Sequence, residues 1–196
     1  MLRFLIIIAV VIGLNGCSMF TPVKNPTLYV INTVPESIPK RHSDGSSLVV
    51  ITPDANQLYS SSDMAYTTSP YQVAYYAKNS WAEPPAQMLK PLMIDTLQKT
   101  HHYQAVSTAD VLGQNDYVLH TQLQQLQQDF YQGRSYIHLK ILAQLVRSNT
   151  GKIVATKFFD ITEPAPQLSP YGGVVAANLA TEKFLRQLAV FCLSHS

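Results

Sequence analysis

Alternation is plainest between Ser135 and Val146. There Ile137, Leu139, Ile141, Ala143 and Leu145 take every second position, with Tyr136, His138, Lys140 and Gln144 between them. A period of two places the first set on one face of a β-strand and the second on the other. Ser148-Asn149-Thr150-Gly151 supplies turn residues, so Lys152 to Ile161 is predicted as the partner strand of a hairpin. Upstream, Asp116 to Phe130 carries Tyr117, Leu119 and Leu123 on one strand face, but Leu126 falls out of step. Helical spacing fits Leu119, Leu123 and Leu126 as well. A strand with a bulge explains the parity break, and it is the preferred assignment beside so regular a neighbour.

The N-terminal half reads as shorter strands. Thr27 to Thr33 alternates Leu28, Val30 and Asn32 with Tyr29, Ile31 and Thr33, and Pro35 to Gly45 is a loop. Leu48-Val49-Val50-Ile51 is a buried strand stopped by Thr52-Pro53. Asp54 to Ser62 is looser. A hairpin then follows, Met64 to Thr67 against Tyr71 to Ala77, with its turn around Ser69-Pro70. Tyrosine and valine suit a pleated, half-buried surface.

The period changes after Trp81-Ala82-Glu83-Pro84-Pro85. Met88, Leu89, Leu92, Met93 and Leu97 recur at helical spacing, and proline is favoured in the first turn, where its missing N–H costs nothing. Pro91 falls inside the pattern, and the expectation is a kink there rather than a late start. A final helix is expected over Val174 to Leu193, led in by Gly172-Gly173, with Val175, Leu179, Leu185, Leu188 and Cys192 near helical spacing. The fold class that follows is α+β: a single layered domain, a mostly antiparallel sheet packed with two main amphipathic helices.

The N-terminus has a different design. Met1-Leu2-Arg3 is basic, Phe4 to Leu14 is apolar, and Asn15-Gly16-Cys17 follows. Charged start, short apolar run and small residue make the layout of a secretory signal peptide. Eleven apolar residues rise only about 16 Å as a helix, too short for a hydrocarbon core of about 30 Å. With Cys17 directly after Gly16, the segment resembles a bacterial lipoprotein signal, in which the thiol takes a diacylglycerol and the chain is cut before the cysteine. An uncleaved anchor, or an ordinary signal with a chance cysteine, is the alternative. Asn15 departs from the small or apolar residue usual at its place. The organisation expected is a signal peptide over 1–16, a lipidated tether over 17–26 and one domain over 27–196. Two membrane signals make a stable anchor where one chain holds only marginally. Ser18, where an aspartate would resemble an inner-membrane retention signal, implies an outer-membrane address facing the periplasm.

Composition narrows the chemistry. Cys17 and Cys192 are the only cysteines, so acylation of the first leaves the second without an internal partner. Fourteen basic residues against twelve acidic, with no run of either sign, give nucleic-acid binding no support. No Gly-rich phosphate loop and no Gly-x-Ser-x-Gly occurs, so an ATPase would be another chain, and neither a catalytic set nor a cofactor or metal site is expected. His101-His102 reads as an exposed helix end, since adjacent histidines point apart. Trp81 is a candidate partner contact, with a plug between strand and helix as the plainer reading. Glu83 reads as an acid at the helix start. Tyr71, Tyr75 and Tyr76 either line an apolar groove for lipid tails or form a half-buried strand face.

Taken in order, the tyrosine-bearing strand, Trp81-Ala82-Glu83-Pro84-Pro85, the amphipathic helix and Tyr103-Gln104-Ala105-Val106 resemble the ABC-type transport auxiliary lipoproteins, including the paraquat-inducible protein C type. The likeness continues through Asp116-Tyr117-Val118-Leu119, Asn149-Thr150-Gly151-Lys152-Ile153-Val154, Phe158 or Phe159, and Val174-Val175-Ala176-Ala177-Asn178. It spans roughly Leu28 to Leu193, with order and spacing rather than one motif carrying it. The resemblance implies a lipid-anchored periplasmic partner of an ABC permease and ATPase and of a protein with mammalian-cell-entry (MCE) domains. Such systems move phospholipid or other apolar solutes between the two membranes. It further implies a docking role at the outer membrane, in a homo-oligomer. A structural lipoprotein of outer-membrane assembly or of a secretion system shares the same anchor and stands as the alternative, with an anchored enzyme as a third class.

Overall fold

The computed structural model describes residues 25–108 and 115–196. The segment 1–16 and Cys17 lie outside the described residues, as does the tether as far as residue 24. One mixed, open sheet of nine strands is built around a long central strand, β7 (Tyr117–Tyr131). On one side β7 pairs antiparallel along its whole length with β8 (Arg134–Arg147), and β8 pairs antiparallel with β9 (Lys152–Pro164). These long ladders carry most of the pairing.

The other edge of β7 is shared by three short parallel strands laid end to end. β2 (Ser47–Val50) pairs at Tyr117 to Leu119, β3 (Asp54–Ala55) at Gln122 and Leu123, and β4 (Asp63–Thr67) at Gln127 to Asp129. Beyond them the sheet forks. β6 (Ala105–Ser107) adds to β2, while β5 (Ala74–Trp81) and then β1 (Thr27–Tyr29) add to β4.

Local sequence explains the long strands. β8 buries Ile137, Leu139, Ile141, Ala143 and Leu145 and leaves the intervening side chains half-exposed. In β7 the register against β8 slips between Leu123 and Gln125, which is the expected bulge and returns Leu126 to the core face opposite Leu139. α1 (Pro85–Gln98) starts at its proline pair and runs on through Pro91. Pro91 is exposed, and the carbonyl it strips of a donor is that of exposed Gln87, which water can reach.

Three expectations change. The first strand stops at Tyr29 rather than Thr33, because Val30, Asn32 and Thr33 bind the side chain of Asn178 instead of a neighbouring strand. The second strand of the 60s–70s hairpin begins at Ala74 and runs to Trp81, leaving Tyr71 to Val73 in the loop, where Tyr71 takes a φ of 64°. The last helix, α2 (Pro170–Leu193), starts four residues earlier than Val174. Ser169 caps it by accepting the Gly172 N–H at 3.1 Å, and Pro170 opens its first turn.

α2 covers the core face of β8 and β9, and α1 packs beside it. Its buried stripe runs through Ala177, Ala180, Thr181, Phe184, Leu188 and Cys192, whereas Leu179 stays 41% exposed. Small side chains let the helix lie close to the sheet. Phe184 meets Phe159 edge to face at 5.2 Å. No described helix is long and apolar enough to cross a membrane.

Candidate functional site

Among the described residues neither α1 nor α2 covers the opposite face of the sheet. Near its β7–β8 hairpin end, the β4–β5 loop borders an open groove of about 740 Å³. Small-molecule sites occupy about 300–1,000 Å³, so the groove is of that class. Pro70, Tyr71, Val73, Phe130, Tyr131 and Tyr136 supply apolar walls. The floor is polar, and strand register dictates it. Gln127 stands opposite His138, and His138 opposite Thr162, so a line of polar side chains crosses three strands.

Hydrogen bonds order that line. The Tyr59 hydroxyl donates to Gln127 Oε1 at 2.9 Å, and Gln127 Nε2 donates to Asp129 Oδ1 at 2.6 Å. Asp129 Oδ2 lies 3.3 Å from His138 Nε2, and His138 Nδ1 lies 3.1 Å from Thr162 Oγ1. With Nε2–H turned to the carboxylate, Nδ1 accepts from the threonine hydroxyl, which leaves spare lone pairs on Asp129 and Thr162. Burial first, and then the Asp129 and Tyr75 charges, raise the Tyr59 pKa, so its hydroxyl stays a donor. The arrangement offers hydrogen bonds to the polar end of a ligand whose apolar part lies along the aromatic walls.

The residues singled out from the sequence are scattered. Trp81 is 3% exposed and packs in the core between β5 and α1, so its indole is not on a surface. Glu83 is exposed ahead of Pro84, outside the first turn of α1. Of Tyr71, Tyr75 and Tyr76, only Tyr71 lines the groove. Tyr75 donates to the Leu58 carbonyl, and Tyr76 stacks on Tyr66 at 4.4 Å and donates to Gln128 Oε1. Tyr76 titrates above its usual range because it is buried and near Tyr66.

The histidine pair separates. His101 is exposed at a φ of 56°, but His102 is 3% exposed, which corrects the expectation of an exposed helix end. Its ring reaches the His42 carbonyl at 3.2 Å and Ser196 Oγ at 3.0 Å, and so ties the α1–β6 loop to the end of α2. Cys192 is fully buried, which pushes its thiol up to about 12. Among the described residues no group of three metal-ligating side chains converges. Sequence reasoning missed Gln127, Asp129, His138 and Thr162, whose one signal was a polar face on otherwise apolar strands.

Comparison with known proteins gives a consistent picture. The family model described as ABC-type transport auxiliary lipoprotein component matches residues 29–189. No curated protein matches by sequence. Among solved structures, a Xanthomonas campestris protein of the DUF330 family superposes with a TM-score of 0.72 at 20% identity, covering 88% of this chain and 95% of its own. A second crystal structure gives 0.68 at 15% identity, covering 86% and 99%. A hypothetical protein of Chlamydia trachomatis gives 0.54 at 6% identity, covering 78% and 98%. At these identities the superpositions speak for the fold.

Proposed function

The chain belongs to the ABC-type transport auxiliary lipoprotein family, and from that premise we propose that it is the lipid-anchored periplasmic subunit of an ABC system with an MCE-domain component, held at the outer membrane through Cys17. It positions the far end of a conduit that moves phospholipid or another apolar solute between the two membranes, as a homo-oligomer. The observation that carries this reading is the family match across residues 29–189, which takes in α1, all of α2 but its last four residues, and the whole sheet save its first two residues. The groove supports it further: aromatic walls over an ordered polar floor suit an amphipathic solute better than a polar one.

Affinity purification of the chain from its own membranes is the test. Recovery of the permease, ATPase and MCE-domain protein together is expected. Recovery of a β-barrel or secretin in their place selects the structural alternative, a lipoprotein of outer-membrane assembly or secretion. For the anchor, Cys17→Ala is expected to leave an unlipidated chain that folds but leaves the outer-membrane fraction. Its retention there at the normal level would show that something other than an acyl chain holds it.

A further inference from the structure

The strand directions bring three connections to one end of the molecule. β4 ends and β5 begins there, β7 turns into β8 there, and β9 ends there ahead of α2. The same end holds the groove. Exposed side chains at the three connections are Tyr71 at 107%, Tyr131 at 67%, Leu168 at 58% and Tyr171 at 55%. The stretches 68–73, 131–135 and 164–171 contain no carboxylate, and Arg134 is their one charged side chain. At the opposite end the chain is differently furnished, with Asp44, Asp116, Arg147 and Lys152 around the start of β7 and the β8–β9 turn.

The path of the N-terminal segment points the same way. β1 runs parallel to β5, with Thr27 beside Asn79, so Asn25 and Pro26 enter β1 from the Ala74 side of that pairing. Pro26 keeps Asn25 extended in that direction. From Asn79 to Ala74 is five residues, at most about 17 Å, and less where β5 bulges against β4 between Ser80 and Tyr75. The residues between Cys17 and Thr27 reach at most about 30 Å. A chain of that length, fully extended, is enough to bring an acylated Cys17 to the level of the three connections.

We propose that this end is the membrane-facing surface of the protein, with Tyr71, Tyr131, Leu168 and Tyr171 seated in the headgroup region of a phospholipid leaflet and Arg134 against its phosphates. The proposal rests on the anchor read at Cys17. Tyrosine suits such a seat, with an apolar ring and a polar tip, and the carboxylates next to these stretches, Asp129 and Glu163, are paired with His138 and Lys183. Four side chains add to the acyl chains a contact that fixes orientation, so the groove opens at the lipid surface rather than tumbling on its tether.

The full chain, purified with its natural N-terminus, is placed in phosphatidylethanolamine–phosphatidylglycerol vesicles carrying brominated acyl chains. Single tryptophans are introduced as Tyr71→Trp or Tyr131→Trp, with Ile153→Trp, 49% exposed near the opposite end, as control. Buried Trp81 gives the same background in all three. Strong bromine quenching at positions 71 and 131, with iodide quenching alone at 153, is expected. Equal quenching at all three, quenching at 153 alone, or positions 71 and 131 shielded from both bromine and iodide would overturn the proposal; the last would mean that protein covers this end. Mass spectrometry of the N-terminus tests the anchor separately. Should Cys17 be bare, coupling its thiol to a maleimide phospholipid supplies the tether, and the same quenching pattern decides the surface.

Discussion

Gly172 and Gly173 occupy the first turn of α2 because nothing larger fits. A Cβ on Gly172 would stand 2.2 Å from the Gln167 carbonyl oxygen, and one on Gly173 would stand 2.3 Å from Gln128 Oε1. Gln128 cannot swing aside freely, since Tyr76, Ser135 and the Ser169 carbonyl hold it. Gly172→Ala is expected to destabilise the protein by about 1–3 kcal/mol, measured by urea unfolding, with Gly173→Ala somewhat less costly. Read from sequence alone, the same pair looked like a lead-in to the helix, since glycine usually breaks helices and a close approach leaves no trace in local pattern. Burial could be read better at Cys192. Its thiol, within α2 and pushed up to about 12, is expected to resist maleimide in the folded protein and to react once the chain unfolds in urea, counted by mass spectrometry. Rapid modification of the folded chain would mean that α2 opens locally.

At the scale of elements, the division between legible and hidden follows contact distance along the chain. β8 announced itself because its two faces differ at every step, and the β7 bulge because one leucine fell out of parity. The parallel pairings of β2, β3 and β4 on β7 left no such mark; each joins segments some sixty residues apart, through two or three register positions. The groove floor was hidden for the same reason, since Gln127, His138 and Thr162 meet only once the register of three strands is set. The β2–β7 junction is held in part by charge. Ser47 gives Asp116 Oδ2 both its N–H and its hydroxyl at 2.8 Å, and these two bonds depress the carboxyl pKa. Nearby Asp44 is pushed up by burial, but hydrogen bonds from Ser46 and the adjacent His102 outweigh that and leave it depressed. A depressed folded pKa adds stability that is fully present above the unfolded value, about 3.9 for aspartate, and is lost as pH falls through the folded value. Unfolding midpoints in urea are therefore expected to hold steady from pH 7 to about 5 and to fall below about pH 4. Asp116→Asn should start lower at pH 7 and show a shallower acid decline, and an unchanged decline would remove Asp116 from the cause.

Across the whole molecule, Asn178 helps fasten the N-terminal segment of the described chain to its last helix, beside the Tyr29–Tyr171 ring contact. Asn178 on α2 accepts from the Asn32 N–H at 3.0 Å and the Thr33 hydroxyl at 2.9 Å, and donates to the Val30 carbonyl at 3.1 Å. The segment it holds follows β1, so with Cys17 acylated as proposed, a pull on the anchor would load the β1–β5 ladder first and then Asn178 and α2. The strand ends at Tyr29 because the following segment is bonded to a helix rather than to another strand. Each hydrogen bond is worth about 0.5–1.5 kcal/mol net, and Asn178→Ala removes three. Local opening of residues 30–33 is expected to become easier by about 1–3 kcal/mol, read as faster hydrogen exchange at the Asn32 amide. The β7–β8 amides should keep their protection, because their ladder gains nothing from Asn178. Uniform loss of protection would make Asn178 part of the global core, and no change at Asn32 would show that neighbouring contacts hold the segment unaided.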